Sequence, residues 1–410
     1  MVTSKPFKIQ ISDQELEILR QKLELARLPD QPEGYTIKQG VPVPEISRIV
    51  EHWKTDFLPK WREHEAKLNE LPMFTRPVQS QGFGTLDIHF IHATSKAENA
   101  IPLLFVHGWP GSFIEASKIV SKLTDPGEGK QAFHVVAPSL PNYGFSEGVK
   151  KRGFNLAHYG HVCNQLMLDL GYDQYVAQGG DWGSIITRIM GRFHADHMRA
   201  VHVNMLAFQP SNVLKQPWLL LTALLPSFWP TKLERQGLKN GVQYTVDGNK
   251  YYEIQRTRPQ TVAYCLSDSP VALLGWVYEK LIHWTDDYPW TPDEILIWIS
   301  IYWFSRAGPG ASVRTYFEAH DEDAQWRGAE TEYRFWDWQK ALLGTSQFPR
   351  DIINIPRFLA RTLGKVVFER QHTSGGHFAA WERPDELVAD LQDMFGPGGG
   401  AHGCVASVPK

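Results

Sequence analysis

Cysteine is scarce: Cys163, Cys265 and Cys404 are the three in 410 residues. They are odd in number and far apart, which excludes a cysteine-built metal site or disulfide framework and points to a reducing, cytoplasmic compartment. An excess of either charge is also missing. The 42 basic and 45 acidic side chains leave a formal net charge of −3. Without a basic block there is no footprint for nucleic acid and no polybasic membrane patch. No run approaches the roughly 20 apolar residues that span a bilayer. The longest, "WLLLTALLPSFW" at 218–229, is too short and contains Pro226, so it reads as a buried or pocket-lining helix. The N-terminal "MVTSKPFKIQ" lacks the apolar core of a signal peptide. What is left is an ordinary soluble globular composition, 42% hydrophobic and 12% aromatic, with small neutral molecules as the open substrate class.

The first segment, 1–80, reads as a helical arm. Ser12 and Glu15 form a capping box, Leu16, Leu19, Leu23 and Ala26 recur at helical spacing, and Pro29 ends the run. A second amphipathic run uses Ile46, Ile49, Val50, Trp53 and Phe57 before Pro59. Neither helix can bury its face alone, so the arm must pack on the remainder of the chain. From residue 81 to 208 the strands "LDIHFIHA", "IPLLFVHG", "FHVVAPSL", "QYVAQGG" and "AVHVNM" alternate with helix-length segments. This is the grammar of an α/β fold, a mostly parallel twisted sheet with helices on both faces. Residues 209–330 lose the alternation and read as a helical lid; 331–396 resume it with "DIINIP", "KVVFERQH" and a closing helix. The Gly-rich 397–410 reads as a flexible tail.

The chemistry is concentrated at "QGGDWGS". A strand, a tight turn between Gly179 and Gly183, and a helix make the context of a nucleophile elbow, and the displayed residue is Asp181 where serine is usual. "HGWPGS", after an earlier strand, is placed to supply one oxyanion donor, the amide of Trp109; the amide of Trp182, next to the elbow acid, supplies the other. Among 16 histidines, His377 in "SGGHFAAWERP" follows the last strand in the chain order nucleophile, acid, base. His372 lies too close to that strand. Asp351 in "FPRD" is the candidate orienting acid.

A carboxylate attacks carbonyls poorly, because the anhydride formed is unstable, but it can displace at a saturated carbon bearing a strained or good leaving group. The alkyl ester is then hydrolysed by water activated at His377. Asp181 therefore points to epoxides or alkyl halides. Opening an epoxide needs an acid for the ring oxygen, and Tyr251 in "KYYEIQRTRP" and Tyr316 in "VRTYFEAH" are the lid candidates. No step needs a metal or a cofactor.

Together "HGWPGS", "PSLPNYGFS", "QGGDWGS", "LSDSPVALLGWVYEK", "SGGHFAAWERP" and the N-terminal "PFKIQISDQELEILRQKL" resemble the microsomal-type epoxide hydrolases of the α/β-hydrolase fold, including soluble fungal members. The resemblance implies Asp181 as nucleophile, His377 as base, Asp351 as charge-relay acid and Tyr251 with Tyr316 as ring-opening acids. Trp109 and Trp182 join the tyrosines at the substrate. Tyr252, beside Tyr251, leaves the first tyrosine open by one residue. Lid tryptophans, including Trp218, Trp229, Trp276, Trp284 and Trp303, suggest an apolar wall and hence an aryl or alkyl epoxide. Two alternatives stand beside this. Trp182 also resembles the halide-binding indole of haloalkane dehalogenases, which lack the arm and the tyrosine pair; an inactive ligand-binding module is the other. A homodimer is compatible with the family but has no surface signal.

Overall fold

In the computed structural model, residues 3–206, 230–320 and 337–408 are described. The candidate lid segment 218–229, with Trp218 and Trp229, lies outside them. The apolar runs of the sequence become one nine-stranded sheet, ordered β1-β2-β3-β5-β4-β6-β7-β8-β9. Strands β1 (Lys5–Pro6), β2 (Met73–Ser80) and β3 (Gly84–Ala93) pair antiparallel, as does β3 with β5 (Phe133–Pro138). From β5 through β4 (Ile101–Val106), β6 (Tyr175–Gly179), β7 (Met198–Asn204), β8 (Leu342–Gln347) and β9 (Val366–Gln371) all pairs are parallel. Every residue of β4, β5 and β6 is buried, as expected for parallel strands covered on both faces.

Three expectations are corrected. The arm is not helical to residue 80. It contributes helices Asp13–Glu24, Val43–His52 and Trp61–Leu68, and then Met73–Ser80 enters the sheet as β2. Arg76 and Pro77 interrupt its alternation, so no period of two is visible. "DIINIP" is not a strand. The strand before it is β8, "LLGTSQ", hidden from hydrophobic pattern because its buried polar groups are satisfied inside the protein. Ser346 accepts from His202 Nε2 at 2.8 Å and donates to Asp390, and Gln347 donates to the Ile355 carbonyl. Nor does the tail hang free. Ala401 and Val405 are buried, Val408 N–H donates to Ala100 O at 3.0 Å, and Val408 O meets His134 Nε2 at 2.9 Å. Glycine content alone does not prevent a chain from finding backbone partners.

The arm's helices form where the sequence places them: the Ser12–Glu15 capping box is made, and Leu19, Leu23, Ile46, Ile49, Val50, Trp53 and Phe57 are buried. They dock on the lid. Glu45 accepts from Tyr278 Oη at 2.9 Å, His52 meets Asp293 at 2.7 Å, and the Trp61 and Phe304 rings lie 5.1 Å apart. The described lid helices are Lys232–Gln243, Lys250–Thr257, Pro259–Asp268, Pro270–His283, Pro292–Trp303 and Arg314–Glu318. Among the described residues no helix is long and apolar enough to cross a membrane.

Candidate active site

The turn after β6 carries Asp181 at φ 51°, ψ −129°, a conformation that costs a non-glycine residue about 1–3 kcal/mol. Close packing holds it there. A Cβ on Gly183 would lie 1.9 Å from the Val106 carbonyl, and one on Gly108 would lie 2.3 Å from Asp181 Oδ1. Gly183→Ala should therefore move the elbow and lower stability by ~1–3 kcal/mol. Chemical denaturation measures the loss; an unchanged midpoint with unchanged turnover would show that the approach is not tight.

The residues singled out from the sequence meet at this turn. Trp109 N–H donates to Asp181 Oδ1 at 2.8 Å, so the loop after β4 already holds one carboxylate oxygen. Trp182 opens the helix Trp182–Phe193, where a first-turn N–H lies outside the helix's own ladder. The other oxygen, Oδ2, lies 3.3 Å from His377 Nε2, and His377 Nδ1 lies 2.8 Å from Asp351 Oδ1. Asp351 sits on the turn just after β8, the next-to-last strand, and its Oδ1 also accepts from Ile352 N–H at 2.8 Å. The backbone of His377 is held by Trp284 O and by Asn204 Nδ2. His372 belongs to a separate network, bonded to Asp390 at 2.7 Å and stacked on Phe348.

Burial is the largest influence on His377 and lowers its pKa, but the charges and hydrogen bonds of Asp351 and Asp181 outweigh it and raise the imidazole to about 10. The folded value lies above the ordinary 6.5. Its contribution to stability is thus complete below the unfolded value and is lost as pH rises through about 10. Burial likewise holds the Tyr251 and Tyr316 phenols well above their ordinary range, reinforced at Tyr251 by Tyr316, Tyr244 and Asp181 and at Tyr316 by Asp181. Both stay neutral donors.

A cavity of about 200 Å³ opens at Asp181, walled by Trp182, Ile185, Met205 and Ile352 and by Tyr244, Tyr251, Tyr252 and Tyr316. Tyr251 stacks on Trp109 with centroids 5.3 Å apart, and Tyr316 meets the same indole edge-on at 5.6 Å. Tyr252 instead stacks on Trp182 and points its hydroxyl to His320. That geometry favours Tyr251 as the partner of Tyr316. Trp284 packs against both His377 and Tyr251, but neither it nor Trp276 nor Trp303 is among the residues walling the cavity, so the expected wall of lid tryptophans is corrected.

Several groups here were not foreseen. Tyr244 Oη is 2.9 Å from Tyr251 Oη. From the lid, Trp298 and Tyr302 donate to the carbonyls of Pro110 and Gly111 and pin the Trp109 loop, whose Trp109–Pro110 bond is cis. At the end of that loop Glu115 accepts from Ser112 N–H, with burial pushing its carboxyl up to about 8. Their signal lay only in pairwise geometry. Among the described residues His52, Asp56 and Asp293 have spacing suited to a metal, but they lie outside the cavity and Lys60 already pairs with Asp56.

Residues 4–116 match the family of epoxide hydrolase N termini, and 101–255 match the α/β-hydrolase fold family. The chain is 31% identical to Epoxide hydrolase 1 of Sus scrofa over 96% of its own length and 88% of the relative's. It superposes on the Aspergillus niger epoxide hydrolase with a TM-score of 0.79 at 34% identity, covering 95% of each chain. For the juvenile hormone epoxide hydrolase of the silkworm Bombyx mori the TM-score is 0.85 at 28% identity, over 95% of this chain and 93% of that one. With the elbow acid, the loop that bonds it and the N-terminal arm all in place, the chain belongs to the epoxide hydrolases of the α/β-hydrolase fold that carry an N-terminal extension.

Proposed function

We propose that the protein converts apolar aryl or alkyl epoxides and water to vicinal diols through a covalent ester of Asp181. The arrangement around this one carboxylate carries the reading: Oδ1 is taken by the Trp109 amide, Oδ2 lies beside His377, and two neutral phenols share its apolar cavity. Oδ2 attacks a ring carbon while Tyr251 and Tyr316 hold the epoxide oxygen and supply a proton. Oδ1 becomes the carbonyl oxygen of the ester, already seated where the oxyanion of the second step will form.

The electrostatics order the two steps. While Asp181 is charged it helps to keep His377 protonated. Once Asp181 is an ester its charge and its hydrogen bond no longer raise His377, and the imidazole falls toward the neutral form that can take a proton from water. Asp351 keeps the ring oriented throughout. The tyrosine pair favours an epoxide over an alkyl halide, because a departing halide needs no proton donor.

The test is a single turnover of styrene oxide by excess enzyme in ¹⁸O water, with mass spectrometry of diol and protein. Unlabelled diol and label in the Asp181 peptide are expected. Labelled diol would mean direct attack by water and would overturn the ester route.

A further inference from the structure

One segment of the sequence motifs has no place in the two catalytic steps: the end of "LSDSPVALLGWVYEK". Its last residue, Lys280, lies on the lid helix Pro270–His283 and is 4% exposed. Lysines bury their stems readily but keep the ammonium in water. Here the head itself is inside. Its Nζ stands 4.5 Å from the centroid of the Tyr251 ring and 5.8 Å from that of Trp276, while Glu279, 31% exposed by side chain, pairs with it from the solvent side. An ion pair between neighbours on one helix would be better solvated at the surface, so pairing with Glu279 alone gives no reason to bury the charge. What burial adds is a cation on the π face of Tyr251.

We propose that Lys280 is a positioning residue for ring opening: its ammonium stabilises the negative charge that builds on Tyr251 as the phenol gives its proton to the epoxide oxygen. The inference rests on the donor role proposed for Tyr251. In that step the Asp181 Oδ2–carbon bond forms, the ring carbon–oxygen bond breaks, and the Tyr251 proton moves to the freed alkoxide. Of water's two hydrogens in the second step, one ends on the diol oxygen released from the ester and the other restores the phenol. Burial, Tyr316, Tyr244 and Asp181 all oppose charge on Tyr251. A cation over the ring face offsets them, and it does so most in a desolvated wall.

The experiment is a double-mutant cycle on the full chain, reading the rate of Asp181 ester formation with styrene oxide by rapid quench and mass spectrometry. Lys280→Met should slow ester formation ~30-fold, with substrate binding and ester hydrolysis little changed, and Lys280→Arg should restore most of the rate. In a Tyr251→Phe background the same change should add less than about threefold. Equal losses in both backgrounds would assign Lys280 to packing and overturn the inference; so would an unchanged rate in Lys280→Met. Lys280→Gln carries the same cycle if the Met variant does not fold. A Tyr251→Phe enzyme that forms ester at the wild-type rate would instead overturn the donor role of Tyr251, and this inference with it.

Discussion

His377→Gln is expected to consume one equivalent of epoxide and stop. In the proposed mechanism the first step needs Oδ2 of Asp181 and the tyrosines, all of which remain; the second needs a group that can take a proton from water, and glutamine cannot. Turnover should fall roughly 10³-fold, within the range of a lost general base. Intact protein should gain the mass of one substrate, and peptide mapping should place it on Asp181. The carboxamide NH2 can donate to a carboxylate of the pair that lies 3.3 Å and 2.8 Å from the two imidazole nitrogens in the wild type, so the site should keep its shape. Normal turnover in this variant would remove His377 from the mechanism.

Asp181→Ala should do more, because no bond to the substrate can form. A loss on the order of 10⁵-fold is expected, comparable to other removed nucleophiles. No adduct should appear on the protein, and the diol formed should not exceed that of an enzyme-free control. The same change takes away a partner that raises His377, so its imidazole should titrate below the wild-type value of about 10. Nuclear magnetic resonance of the ring protons measures this directly. Diol production at more than about 1% of wild type would mean that water reaches the epoxide without the ester, and Asp181 would then be an electrostatic or basic group.

The two variants separate the steps on different residues, and those residues differ in how they could be found. Asp181 and the Trp109 loop are local constructions. A tight turn between glycines, a strand before and a helix after can be read within a few residues, because a Cβ on Gly179 or Gly183 would run into backbone and one on Gly108 into the Asp181 side chain. His377 needed only the position of the last strand. Asp351 follows from its place before His377 in the chain, but β8, the strand before it, is invisible to hydrophobic pattern because Thr345, Ser346 and Gln347 are polar yet buried. Tyr251 and Tyr252 could not be told apart, since adjacent helical residues differ in direction by about 100° and only the docking of the helix says which one faces Trp109.

What the sequence by itself determined was the order along the chain of the residues that meet at the site: an acid on an elbow, the Trp109 loop before it, a histidine after the last strand, and an arm with two amphipathic faces to bury. These depend on residue type at short range, where sterics and periodicity act. Only the tertiary structure decided which oxygen of Asp181 is held and which is left beside His377, that the arm's apolar faces close on the lid, that the Gly-rich tail docks at Ala100 and His134, and that Lys280 lies on the ring of Tyr251. Those contacts join residues distant in the chain. Their energies come from burial and from charges brought within a few ångströms, which composition and spacing cannot express.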